Sequence, residues 1–131
     1  MFIINKEDLS ISLTRGDIAA IEVSANNKVG ETVTPYIFKV GDVVRIQVTE
    51  KGNVGKVVIR KDVVVDAETE TVDILLETED TAIGELINKP VNYWYEIELN
   101  PDTDPQTIIG YDNNGPKIFR LFPEGDDGAW A

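Results

Sequence analysis

The feature that most limits what this chain can fold into is an alternation of apolar and polar residues with period two. In "VVRIQVTE", Val44, Ile46 and Val48 share one side, and Arg45, Gln47 and Thr49 the other. "TVDILLE" sets Val72, Ile74 and Leu76 against Thr71, Asp73 and Glu77. "YWYEIEL" sets Tyr93, Tyr95, Ile97 and Leu99 against Trp94, Glu96 and Glu98. "ISLTR" alternates through Ile11 and Leu13, and "IAAIEVS" through Ala19, Ile21 and Val23. Side chains leave a strand on opposite faces in turn, so each stretch reads as a half-buried β-strand.

Turn-forming clusters punctuate these runs: Arg15-Gly16-Asp17, "NNKVG", "VGD" at 40–42, "KGNVG", "NPDTDP" and "DNNGP". Helical pattern is scarce. "DTAIGELINKP" has room for one short turn, limited by Gly84 and Pro90. Short strands separated by Gly, Pro and Asn predict an all-β chain, a β-sandwich of about seven to nine strands. The length of 131 residues fits one domain, expected over 1–125. The unpatterned acidic segment 126–131 is expected to be a flexible tail.

Composition narrows function. With no cysteine there is no disulfide framework, thiolate metal site or thiol nucleophile. With no histidine the commonest general base and metal ligand are missing, and nothing pairs a nucleophile with a base; an enzyme is not expected. The net charge of −12 opposes binding to nucleic acid and to anionic membranes, and leaves cations and basic proteins open as partners. The start "MFIINKEDLS" does not read as a secretory signal, and no apolar run reaches the roughly 20 residues of a membrane span. Synthesis in a bacterial cytoplasm is expected.

Arg15-Gly16-Asp17 is the tripeptide that adhesion receptors recognise. Gly-Asp recurs at Gly41-Asp42, again just ahead of an alternating run. Glycine reaches positive φ freely, and aspartate commonly bonds the backbone two residues on. The recurrence predicts a turn in both places rather than an adhesion signal.

The stretches "ISLTRGD", "YIFKVGDVVRIQV" and "YWYEIEL", in this order, resemble the amino-terminal domain of phage upper baseplate proteins. "NPDTDPQTIIGYDNNGPKIFRLFPEG" is most similar to small tail proteins in prophages of Gram-positive bacteria. The resemblance spans roughly residues 9 to 125. It implies an immunoglobulin-like antiparallel β-sandwich and a structural role in the virion tail, at the baseplate. It also implies contacts with other tail proteins or further copies of the chain. The chain departs from the family at "NKPVN" before Tyr93, where a glycine is usual. Longer members continue into partner- or saccharide-binding domains, so attachment to tail proteins is expected here rather than receptor binding. The alternative is a non-catalytic carbohydrate-binding module, calcium-dependent in one form.

Asp102 and Asp104, with Asp112, Asn113 and Asn114, have calcium-like spacing, but calcium takes about 6–8 oxygens and neither stretch is a complete loop. They read as turn residues, with no metal or cofactor expected. Glu96 and Glu98 lie about 7 Å apart by strand rise, a spacing open to an inverting glycosidase pair but ordinary on a solvated face, which is the reading preferred. Tyr93 and Tyr95 are expected to bury their rings. Trp94 shares parity with the two glutamates, and the opposite assignment would bury both. Trp94 is therefore expected on the outer face, covered by a loop of the chain or serving as a partner-binding residue.

Overall fold

The computed structural model describes residues 2–5, 7–84 and 88–124. The expected tail at 126–131 lies outside them. The described residues form eleven strands and one short helix. The strands are β1 (Phe2–Ile4), β2 (Ile11–Thr14), β3 (Ala19–Val23), β4 (Asn26–Val29), β5 (Thr32–Pro35), β6 (Val43–Glu50), β7 (Asn53–Val64), β8 (Val72–Leu76), β9 (Val91–Leu99), β10 (Gln106–Ile109) and β11 (Lys117–Phe122). The helix α1 spans Thr78–Thr81. The protein is all-β, as the alternation predicts.

One sheet has seven strands in the order β1-β2-β11-β9-β6-β7, with β10 also paired to β9. β10 meets Ile97 to Leu99 of β9, while β11 meets Val91 to Tyr95. The two strands thus follow one another along a single edge of β9, and β6 occupies its other edge. β3 and β8 form a second, two-stranded sheet, and β4 and β5 a third. Pairing is antiparallel except between β2 and β11, which run parallel. The expectation of a purely antiparallel arrangement is corrected there: a strand near the start of the chain is laid beside the last one, with no hairpin to dictate direction.

The alternating residues close on one core. Ile11 and Leu13, Val44, Ile46 and Val48, and Ile97 and Leu99 from the large sheet join Ile21, Val23, Ile74 and Leu76 from the β3–β8 pair in one buried cluster. Burial of the inner parity is what holds each register, since a slip by one residue would carry its apolar set to the solvent side.

Three local expectations change. "NNKVG" and "KGNVG" were expected as turns, yet Asn26–Val29 is β4 and β7 begins at Asn53. The reversals sit at Gly30 and Gly52, both at positive φ. β4 and β5 are exposed at every position, so their pairing comes from hairpin closure and leaves no mark in hydrophobic pattern. The short helix begins at Thr78, ahead of the stretch expected to turn, because Glu77 and Asp80 form a capping box at its N-terminus. Strands exceed the expected seven to nine for the same reason: the extra ones carry no alternating face.

The two Gly-Asp segments are built alike. Gly16 has φ +89° and Gly41 φ +94°. Asp17 N–H donates to Thr14 C=O at 2.9 Å, and Asp42 N–H to Lys39 C=O at 3.0 Å. Each glycine thus holds the third position of a four-residue turn, where positive φ is needed. The carboxylates reach back rather than forward: Asp17 Oδ2 accepts from Thr14 N–H and Asp42 Oδ2 from Lys39 N–H.

Candidate partner-binding cleft

The outer face of the large sheet is set by the β6–β9 register, which places Thr49 opposite Trp94, Gln47 opposite Glu96 and Arg45 opposite Glu98. These are the residues whose parity excluded them from the core. The face is not simply solvated, however. Arg45 and Thr49 are buried, and Trp94, Glu96 and Glu98 are half-buried.

Arg45 is covered by carboxylates. Its Nε donates to Asp62 Oδ1 at 2.7 Å and its Nη2 to Asp62 Oδ2 at 3.0 Å, while Nη2 also reaches Asp102 Oδ2 at 2.9 Å. The Arg45 hydrogen bonds hold the Asp62 carboxyl below the usual range against the opposing effect of burial. Asp102, a candidate calcium ligand by spacing, therefore faces a guanidinium. Asp104 lies in the turn after β9, its N–H donating to Asn100 C=O. Among the described residues no three acidic side chains converge on a metal position.

The other wall of the cleft comes from the segment 110–116 that links β10 to β11. A Cβ at Gly110 would lie 2.6 Å from Thr107 Cγ2, so a larger residue would have to displace that side chain, while the approach to Glu96 Cβ at 3.8 Å is ordinary contact. Beyond it Tyr111, 74 % exposed, sets its ring against Trp94 edge-to-face, with centroids 6.4 Å apart and planes at 74°. The segment turns at Asp112 and Gly115, and buried Lys117 returns to Asp112 with an ion pair of 2.8 Å. Between these walls lies a cleft of about 340 Å³, lined by Gln47, Thr49, Val54, Trp94, Glu96 and Tyr111 among others.

Two groups in the cleft are left in unfavourable settings. The Trp94 indole N–H is buried without an acceptor, which costs about 1–3 kcal/mol. The Glu96 carboxyl is pushed up by burial first, and then by the charge of Glu98 and a hydrogen bond to it. Glu96 and Glu98 thus belong to a crowded acidic pair, not to the freely solvated face expected.

Other singled-out residues lie elsewhere. Arg15 donates to the carbonyls of Ile83, Ala82 and Gly84 and to the Glu124 carboxylate. Tyr95 is buried in the core and its hydroxyl donates to Leu9 C=O; Tyr93 is half-buried beside the core. Asp42 accepts from Tyr36 Oη at 2.7 Å and from Asn100 Nδ2 at 3.1 Å. The bond to Asp42 pushes the Tyr36 hydroxyl up to about 12.

Sequence parity placed Trp94 on this face. It placed Gln47 there too, but missed Tyr111 and the Asp112–Lys117 pair. The one signal for Tyr111 was an aromatic residue inside a turn-rich stretch, between Gly110 and Asp112.

Comparison with protein-family models, with curated proteins and with solved structures gave no match.

Proposed function

We propose that the chain is an immunoglobulin-like β-sandwich serving as a structural protein of a phage or prophage tail, at the baseplate. It works by packing against neighbouring tail proteins or further copies of itself after synthesis in the bacterial cytoplasm. The strand order supports the fold: β6, β9 and β11 lie side by side, β7 flanks β6, and β3 pairs with β8 in a separate sheet. An immunoglobulin-like sandwich would divide its strands in a similar way, with a C-F-G sheet edged by C′ and a separate B-E pair, which favours the reading.

The observation that carries the assembly reading is the state of Trp94. Its ring sits half-buried on an outer sheet face, at an open cleft, with an indole N–H that finds no acceptor inside the protein. A partner that enters the cleft gains apolar contact with the accessible part of the Trp94 ring and with the exposed Tyr111 ring beside it, and tryptophan is enriched among residues that dominate binding energy. The sheet edges are poorer candidates. β1 has only three residues, and β7 carries Lys56, Arg60 and Lys61 with a register shift opposite Thr49. Short edges, cations and bulges all discourage strand-to-strand association.

Trp94→Ala is expected to leave the chain folded, with a normal urea transition, while weakening association by about 2 kcal/mol. Light scattering of the full chain, alone and co-expressed with candidate tail proteins, reads the association. Unchanged association, or unfolding of the variant, would remove Trp94 as the contact; Tyr111→Ala, on an exposed ring, then tests the same face without touching the core.

A further inference from the structure

Charge is distributed unevenly around the cleft. Arg45 is paired with Asp62 and Asp102, Lys117 with Asp112, and Lys56 with Glu50. None of these ion pairs, nor any other among the described residues, includes Glu96 or Glu98. The groups that face Glu96 explain why. On its own strand the neighbour of the same parity is Glu98; across on β6 it meets neutral Gln47, and Glu98 meets Arg45, whose guanidinium is already engaged. Arg60 of β7 is one strand further away, opposite Gln47. From the 110–116 segment come Gly110 and Tyr111, followed by Asp112, which is neutralised by Lys117. Glu96 therefore lines an aromatic cleft with Glu98 beside it on the strand and no ion pair of its own among the described residues, while the cation that also lines the cleft, Lys117, is engaged by Asp112.

A metal ion is not the natural answer, since no third acidic ligand converges there among the described residues. A neutral ligand would leave the two carboxylates as crowded as before. A planar cation relieves them, and it also suits the aromatic wall: a guanidinium stacks on an aromatic face, pairs with carboxylates through a fork of donors, and is more weakly hydrated than an ammonium. On a chain of net charge −12, approach of a basic segment is favoured at long range as well.

We infer that the cleft seats an arginine side chain from an extended basic segment of a partner protein, the guanidinium lying against the Trp94–Tyr111 wall and pairing with Glu96 and Glu98. This rests on the assembly reading and names the partner's chemistry at the same site. Seating the cation draws the proton from Glu96, whose folded value is raised above the ordinary 4.5, so binding tightens as pH rises through that raised value.

The test is an isotope-labelled NMR titration of the full chain with a short end-blocked peptide carrying one arginine among glycines and serines. The matched peptide carries neutral citrulline instead. The arginine peptide is expected to shift the Trp94 indole and Glu96 amide signals saturably at neutral pH. The citrulline peptide, and the Glu96→Gln and Glu98→Gln variants with the arginine peptide, are expected to bind about tenfold more weakly or worse. At a pH below 4.5 the arginine response should fade. Equal binding of the two peptides, no saturable shift at Trp94, or a response to a methyl glycoside in place of the arginine peptide would each overturn the inference. The last result would favour the carbohydrate-binding alternative. Association measured on Trp94→Ala is read separately: if it falls while the arginine peptide gives no response, the arginine inference fails and the assembly reading stands.

Discussion

Every nitrogen of the Arg15 guanidinium has an acceptor inside the protein. Nε and Nη2 reach the carbonyls of Ile83, Ala82 and Gly84, and Nη1 the Glu124 carboxylate. One side chain thereby ties the turn after β2 to the segment beyond α1 and to the stretch that follows β11. An adhesion receptor needs that guanidinium free, so immobilised receptor that captures a linear Arg-Gly-Asp peptide is expected not to capture this protein. Arg15→Lys should destabilise by about 2 kcal/mol in urea titration, since one ammonium cannot serve four separated acceptors. Gly16→Val is expected to cost about 1 kcal/mol or more. That cost is conformational and not steric, because a Cβ built on Gly16 meets nothing nearer than Thr78 Cγ2 at 3.9 Å. Retention of wild-type stability by Gly16→Val would show that positive φ is not required there.

At the level of elements, the four-residue helix α1 is held by its ends. Asp80 accepts from Glu77 N–H at 2.8 Å and from Lys61 Nζ at 3.0 Å, linking the helix start to β7. Burial pushes its carboxyl up, but these two partners together outweigh it and leave the group below its usual range. Asp80→Ala should cost about 1–2 kcal/mol, and Asp80→Asn less, since the amide oxygen keeps one acceptor; equal losses would assign the effect to charge alone. How far elements were readable in advance follows from what each one buries. β2, β3, β8 and β9 bury one parity, and β6 buries its apolar parity with Arg45 and Thr49 covered on the other side, so alternation located them and even fixed the face of Trp94. β4 and β5 bury nothing, and β10 takes its place through pairing with β9; β11 buries Lys117, Phe119 and Leu121, but with a lysine on that face and Ile118 and Phe122 on the other its sequence does not alternate. Those strands depend on hydrogen bonding between distant segments, which leaves little trace in local pattern. The cleft was unreadable for that reason: Tyr111 meets Trp94 only because β10 and β11 share one edge of β9. The turns, by contrast, are local, and Gly16-Asp17 and Gly41-Asp42 announced themselves.

For the molecule as a whole, pH acts in two opposite directions. Asp42, Asp62, Asp80 and Asp112 all titrate below their ordinary value of 3.8 in the folded state. Their contribution to stability is present above that value and is lost as pH falls through their folded pKa values. Glu96 is the reverse. Its folded pKa is raised above 4.5, so the folded state binds its proton more tightly than the unfolded chain does. The stability this brings is present below 4.5 and is lost as pH rises through the folded value. Glu96→Gln should therefore melt at a higher temperature than wild type at neutral pH, with the two curves converging below that window. A constant offset at every pH would mean that the substitution acts through packing. The parallel pairing of β2 with β11 has a consequence of another kind. Four residue pairs, from Phe119↔Ile11 to Phe122↔Thr14, join a strand near the start of the chain to the last described one. When tension is applied between the two ends, these parallel strands are drawn in opposite directions along their common axis. Their hydrogen bonds are then loaded together instead of opening one after another. β1, joined antiparallel to β2, peels away first and leaves that clamp intact. In single-molecule pulling, extension from the two ends is expected to meet its main resistance at this pair, and Phe119→Ala should lower the rupture force more than a substitution in the exposed β4–β5 hairpin. A domain built this way bears strain lengthwise before it yields.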